Sequence, residues 1–391
     1  MNPERAAKIT CVSAASLRQS VLGALESAGI PETFIQNGKQ VCLAERSGPF
    51  GLFPRVELED ASGDIFRFYA PPEKAEEVCA VIADSASLSL PGRGSIFVEQ
   101  ADILSGSARM FPGPSSPSGG MLGSAAESLK NLLKPVSSPH LLDYTALTCI
   151  VQRGQGAALA RTMLEMGLCV PVIAYGQGMG LRNKLGLLRI TIPVDKEVIY
   201  LLVPAADTDL VESIAVRKAR LDRPGQGFIY RSRVRAAVVN TRMSRTKRRH
   251  VATMEQVITA VDALHGSTDW RRITASGRER GSPQVAGPAL ACLSLICDEG
   301  RAGEFVRAAM DSGAGGATLM RLGHQDLGRE AEERRSSARI ASHARETCDL
   351  IVSADLTDRI LEAMTKRGLF ESEVFGMVEI TKVEKAITYR G

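Results

Sequence analysis

Aromatic residues are scarce in this chain: Phe, Trp and Tyr together make up 5% of its 391 residues, with a single Trp. Its cores must therefore be filled by Ala, Val, Ile and Leu. Long apolar runs are also missing. The longest are strand-sized, such as residues 198–203, far short of the ~20 residues that span a bilayer as a helix. The N-terminus lacks the basic head and apolar stretch of a signal peptide, so a cytoplasmic protein is expected. There is no CxxC and no Cys/His spacing suited to zinc, so no metal is expected. The eight cysteines (11, 42, 79, 149, 169, 292, 297 and 348) mostly sit in apolar surroundings, as small hydrophobes do.

Catalytic signals are equally thin. None of the five histidines (140, 250, 265, 324, 343) has a nucleophile motif or metal-ligand spacing around it. The charged run at Glu330, Glu332, Glu333, Arg334 and Arg335 reads as a solvated helix face. An enzyme is not expected. Hydrophobic residues at 44% and charged ones at 24% exclude a disordered chain, a collagen and a coiled coil. At roughly 150 residues per domain, the length allows two or three domains.

What the chain does have is internal repetition, the first thing to seek. Three segments of about 100 residues share one order of elements. Each opens with an apolar strand (8–12, 146–151, 290–297) and an Ala/Leu/Val-rich helix (16–27, 157–166, 301–311). Each helix stops at a glycine, Gly29, Gly167 or Gly313. A second strand follows, then a further glycine (Gly38, Gly176, Gly323) and a long polar loop. A third strand (65–70, 198–203, 350–353), a second helix (73–83, 208–217, 358–367) and a last strand (95–98, 228–231, 377–381) close each segment. From Val203 to Gly227 the second segment maps onto the third at a constant offset of 149, as in Asp209 to Asp358. From Pro204 to Gly227 it maps onto the first at 133, as in Val211 to Val78. One offset held through a strand, a helix and a turn argues for true repeats of a split β-α-β unit.

The expected fold class is α+β, with three ferredoxin-like βαββαβ units in an intrachain pseudo-trimer. The expected units are 5–104, 141–242 and 289–391. Residues 105–140 read as a Ser/Gly/Pro linker with a short helix at 124–133. Residues 243–288 read as a basic linker plus a helical insert at 253–264. Two helices cover only one face of each sheet, so the other faces must be buried by the other units.

At these residues the chain resembles the P-II (nitrogen regulatory) signalling family. Gly176-Gln177-Gly178-Met179-Gly180 resembles the glycine-rich start of that family's T-loop. Pro224-Gly225-Gln226-Gly227-Phe228-Ile229-Tyr230 resembles its B-loop and final strand, and Pro91-Gly92-Arg93-Gly94-Ser95-Ile96-Phe97-Val98 is a similar stretch in the first unit. The third unit keeps the frame with Glu373-Val374-Phe375-Gly376-Met377. The resemblance implies a regulatory protein that binds a small adenine nucleotide in clefts between units. It would act through the T-loop on an unknown protein target, a membrane transporter by family analogy.

Glycines let successive backbone N–H groups form an anion-binding nest. The nucleotide-binding candidates are therefore Gly176, Gln177, Gly178, Arg182, Lys184, Gly225, Gln226, Gly227, Phe228, Ile229, Gly92, Arg93 and Gly94. The family's phosphate-clamping Lys is replaced here by Ser95, Phe228 and Met377. Val239 and Thr241 stand at the positions of its C-terminal Arg pair. Fewer cations point to ADP or AMP ahead of ATP as effector. The chain is expected to be a monomeric pseudo-trimer.

Two alternatives remain. Residues 231–249 hold eight Lys/Arg (Arg231, Arg233, Arg235, Arg242, Arg245, Lys247, Arg248, Arg249) and no acid, a run that could bind nucleic acid. That partner is disfavoured, because the first and third strands of the second unit carry one aromatic, Tyr200, where RNA-binding sheets of this topology stack bases. The other alternative is a scaffold of ferredoxin-like units that binds no ligand.

Overall fold

The computed structural model describes residues 3–46, 55–88, 93–106, 144–165, 170–180, 195–239, 289–328, 343–371 and 373–388. It is mixed helix and strand, with thirteen strands and six α-helices among these residues. The first segment runs β1 (Glu4–Ala14), α1 (Arg18–Ser27), β2 (Glu32–Arg46), β3 (Arg55–Ala70), α2 (Ala75–Ser85) and β4 (Gly94–Ser105). The second runs β5 (Tyr144–Gln152), α3 (Gly156–Glu165), β6 (Val172–Gly180), β7 (Asp195–Pro204), α4 (Thr208–Ala219), β8 (Gly227–Arg233) and a short β9 (Ala236–Val239). The third runs β10 (Leu290–Asp298), α5 (Ala302–Asp311), β11 (Gly316–Asp326), β12 (His343–Ser353), α6 (Thr357–Lys366) and β13 (Gly376–Thr388). The expected helices at 124–133 and 253–264 lie outside the described residues.

Within each segment the strands are antiparallel and share one spatial order: β4-β1-β3-β2, β8-β5-β7-β6 and β13-β10-β12-β11. The alternation of side chains along a strand explains why the first strands are buried on both faces. In β1, Ala7, Ile9 and Cys11 point to α1 and α2, where Val21, Leu25, Val78 and Ile82 meet them. Ala6, Lys8, Thr10 and Val12 alternate with these, and all four are buried or nearly so. The second and third segments have equivalent cores of their own, around Leu147, Met163 and Ile214 and around Leu293, Phe305 and Met364.

The faces away from the helices pack on one another. Phe34, Tyr69 and Ile103 of the first segment meet Ile296, Leu322 and Met377 of the third. Ile150, Val198 and Tyr230 of the second meet Cys292, Met320 and Val383 of the third. Phe97 meets Tyr144 and Ala146, and Val12 and Ile65 meet Val172 and Ala174, so the first and second segments are joined as well.

Strand pairing closes this arrangement into a ring. The end of β4 (101–105) pairs with the start of β13 (377–381), and the end of β13 (383–388) pairs with β8. β9, which continues from β8, pairs with the start of β4 (95–98). The second strands form a matching inner triangle. β2 pairs with β6 through 38–40 and 172–174, β6 with β11 through 177–180 and 316–319, and β11 with β2 through 323–326 and 32–35.

One element differs from its sequence reading. Gly38, Gly176 and Gly323 do not begin loops; each lies inside a strand. In the first segment β2 and β3 stay paired out to Arg46 and Arg55. The polar residues there form a hairpin, with Lys39 bonded to Asp60 at 2.9 Å. Val41 is buried and donates its N–H to Pro171 O of the second segment at 3.4 Å. A neighbouring segment thus covers backbone that would otherwise be an exposed polar edge.

Candidate functional site at the root of residues 181–194

A cleft of ≈ 450 Å³ opens where the inner triangle of strands meets the ends of β5 and β7. That volume lies in the range of about 300–1,000 Å³ typical of small-ligand sites. β2 supplies Gln36 and Asn37, β6 supplies Tyr175, Gly176 and Gln177, and β11 supplies Leu319, Met320 and Arg321. Arg153, Asp195 and Lys196 complete the wall. Both roots of the 181–194 stretch therefore border it: Gly176 and Gln177 before, Asp195 and Lys196 after.

The wall carries three cations (Arg153, Lys196, Arg321) and one carboxylate (Asp195), a net charge of +2. Arg153 meets Asp195 at 3.2 Å and Arg321 meets Glu299 at 3.6 Å. Both pairs are solvent-exposed, the kind that contributes about 0–1 kcal/mol, so the guanidinium groups can turn to a ligand at little cost. Tyr175 is 44% exposed, with Lys39 Nζ 6.0 Å from its ring centre. Asn37 Oδ1 accepts from Arg18 Nη2 at 3.1 Å. An open ring, side-chain amides and guanidinium groups together suit a small anionic ligand with a flat, hydrogen-bonding portion.

Of the sequence candidates, Gly176 and Gln177 lie in this cleft, and Gly178 is next to it, paired with Thr318 of β11. The turn at Gly225, Gln226 and Gly227 is not itself part of the lining. Gly227 is level with Val151, Glu197 and Tyr175 across β5, β7 and β6. Three strand spacings, about 14 Å, separate it from Tyr175, but Arg153 of the cleft wall lies beside the turn, between Gln152 and Gln155, which both bond it.

That turn is also satisfied internally. Gly225 O accepts from Gln152 Nε2 at 3.1 Å, and Gln226 Oε1 accepts from Gln155 Nε2 at 3.2 Å. Gly227 has φ +139°, and a Cβ there would sit 1.9 Å from Ile150 O. Gly94 repeats this with φ +140° and a Cβ 1.8 Å from Val12 O. These glycines let the last strand start against the first, a structural need for glycine at both positions. Phe228 stacks on Tyr230 with ring centres 6.2 Å apart, and Ile229 is buried in the second segment's core. Arg93 lends its backbone carbonyl to Ala14 N at 3.3 Å. Gly92, Arg182 and Lys184 lie outside the described residues.

Sequence reasoning did not find Gln36, Asn37, Arg153, Lys196 or Arg321. They come from all three segments and converge only through ring closure, a long-range event with no local signal.

Two other polar centres look structural. Where the three segments meet, Lys8 Nζ lies 2.7 Å from Glu379 Oε1 and 3.3 Å from Glu99 Oε2. Tyr69 OH donates to Glu379 Oε2 at 2.8 Å, Thr381 Oγ1 donates to Glu379 Oε1 at 2.9 Å, and Ser232 Oγ donates to Glu99. Burial alone would push the Lys8 ammonium down, but the carboxylates of Glu379 and Glu99 outweigh it and hold the group above its usual value. Burial likewise pushes Glu379 up, and Lys8 and Arg67 overcome it, so its carboxyl is held below the usual range. The cavity beside this network measures ≈ 50 Å³, room for a few waters only. The start of the basic run is occupied too: Arg231 bonds Asp209 at 2.9 Å and approaches Glu212 and Glu384 at 3.9 Å. Residues 240–249 lie outside the described residues.

Among the described residues no group of three or more His, Cys, Asp or Glu could hold a metal ion, and no helix is long and apolar enough to cross a membrane. No family model matches the chain, and no curated protein matches it.

Proposed function

We propose that this chain is a regulatory ring that senses a small anionic effector and signals it to a protein partner. More particularly, its three segments read as ferredoxin-like units of a P-II-like protein fused into one chain, an intrachain pseudo-trimer. The effector is an adenine nucleotide, AMP or ADP ahead of ATP. It binds in the inter-unit cleft at Gly176 and Gln177, with its phosphate among Arg153, Lys196 and Arg321 and its base beside Tyr175. The carrying observation is that this basic cleft is walled by both roots of the 181–194 stretch. A ligand there biases the arrangement of that stretch through differential affinity, and the stretch then meets the partner. A membrane transporter is the kind of target the P-II resemblance suggests. The reading assigns no catalytic step to the cleft.

Isothermal titration of the full chain with AMP, ADP and ATP tests this. Micromolar binding of at least one, weakened tenfold or more in R153A, supports it. Absence of heat and of any thermal stabilisation with all three would overturn it in favour of a scaffold.

A further inference from the structure

We infer that the effector site is a single axial one, built by all three segments together, so that one chain holds one ligand. The inference rests on the proposed function above and adds where the ligand sits, how many bind and what selects it. β2, β6 and β11 each pair with both of the others, so they encircle the ring axis. The cleft takes residues from each of these strands. Gly176 brings two of them together: a Cβ there would lie 2.9 Å from Leu319 O and 3.1 Å from Met320 Cγ. Tyr200 OH of the second segment donates to Gln36 Oε1 of the first at 3.3 Å and lies 3.6 Å from Met320 Sδ of the third. Three segments thus meet at one phenol.

Chemical asymmetry makes the site single. At one register of the inner triangle, opposite Asp64, Glu197 and Glu346 of the third strands, stand Asn37, Tyr175 and Arg321. These are an amide, a phenol and a guanidinium at equivalent places in the inner triangle. All three border the cleft. Three copies of one ligand have no three equivalent seats. Gln36 is 3% exposed, and its Nε2 has no hydrogen-bond partner. A buried orphan donor of this kind costs free energy, and a ligand acceptor relieves it. Arg321 and Arg153 come from different segments, and a phosphate between them neutralises part of the wall's net +2. The ligand class is therefore a nucleoside phosphate with one hydrogen-bond acceptor set for Gln36 and one anionic end for the two arginines.

The test is titration of the full chain with AMP, ADP and inorganic phosphate, reading stoichiometry and affinity. The expected result is one nucleotide per chain, with R321A and Q36L each weakening it tenfold or more. The control R301A, whose partner is Glu304 on α5 at 2.7 Å, keeps the wild-type affinity. The Arg321 side chain is 80% exposed, so R321A remains informative should Q36L fail to fold. Three nucleotides per chain, or wild-type affinity in R321A, would overturn the axial site while leaving the proposed function standing. No nucleotide binding at all would overturn both. Phosphate binding as tightly as AMP would overturn the assigned role of Gln36.

Discussion

Replacing Lys8 by Met removes the cation of the buried ionic network and little else, since the two side chains are similar in length. The Lys8 side chain is 11% exposed, and the carboxylates of Glu379 and Glu99 at its tip are 0% and 6% exposed. Breaking a buried pair by removing one partner costs about 3–5 kcal/mol, because a charge is left uncompensated. Here Glu379 keeps Tyr69 OH, Thr381 Oγ1 and the nearby Arg67, and Glu99 keeps Ser232. The cost should thus fall near the lower end, about 3 kcal/mol, in urea unfolding at pH 7.

The pH dependence carries a sign. Glu379 is held below its unfolded value, so its stabilisation is present above about pH 4.5 and is lost as pH falls through the folded value. Lys8 is held above 10.5, so its part is present below that pH and is lost as pH rises through the folded value. The difference between wild type and K8M should be flat across that window and shrink on either side. Counting Lys8, Arg67, Glu99, Glu379 and the buried Asp349 that acts on Arg67, the buried charge is −1 in wild type, −2 in K8M and −1 again in K8M/E379M. The double variant should recover part of the loss. A cost under 1 kcal/mol at pH 7, or a difference unchanged at pH 3, would refute the reasoning.

Three other outcomes are expected. G227A should cost about 3 kcal/mol or more, since the residue has φ +139° and its new Cβ meets Ile150 O. G29A, at φ +71° with open space around it, should cost about 1–2 kcal/mol. Urea titration of both checks this, and a well-folded G227A that has lost nucleotide binding would return that turn to a phosphate-binding role. F34A should cost about 3–5 kcal/mol, because Phe34 is fully buried and stacks 4.9 Å from His324 across the first and third segments. A loss under 1 kcal/mol would mean that seam is not formed in solution. Burial pushes the thiols of Cys11, Cys149 and Cys297 up to about 12, and those of Cys79, Cys292 and Cys348 are also raised by burial. At pH 8 a thiol-disulfide reagent should therefore titrate no more than two of the eight cysteines in the folded chain, and fast reaction of a third would contradict this burial.

Local order was legible wherever a short-range rule decided it. The strand at 8–12, the helix at 208–217 and the constant offsets of 149 and 133 all follow from periodicity and repetition, and the observed elements overlap each of them. What was not legible was whatever a neighbouring segment decides. Residues 38–46 follow a repeated glycine and read as the start of a loop, yet they are strand because β3 pairs along them and the second segment receives them at 38–40. Gly94 and Gly227 look like a phosphate nest, since a glycine serves close approach of a carbonyl as readily as close approach of an anion. The close approach to Val12 O at Gly94 and to Ile150 O at Gly227 is set by the first strand of each segment and has no local signal.

The same reasoning bears on why three segments in one chain differ from three identical chains. Identical chains must present identical residues at equivalent places, so any group on the axis appears three times. A single chain is free of that constraint, and this one departs from symmetry at its centre. One lysine serves two glutamates from different segments. One tyrosine hydroxyl, that of Tyr200, reaches both other segments. Threefold copies of Lys8 would place three ammonium groups at a point where the buried charge is already balanced to within one. The ionic network and the cleft are therefore two uses of one property, the freedom to put a different side chain at each of three equivalent positions. Making Asn37 or Tyr175 match Arg321 would add a third guanidinium to a wall that is already cationic, and would weaken the ring for the reason that restricts each position to its present residue.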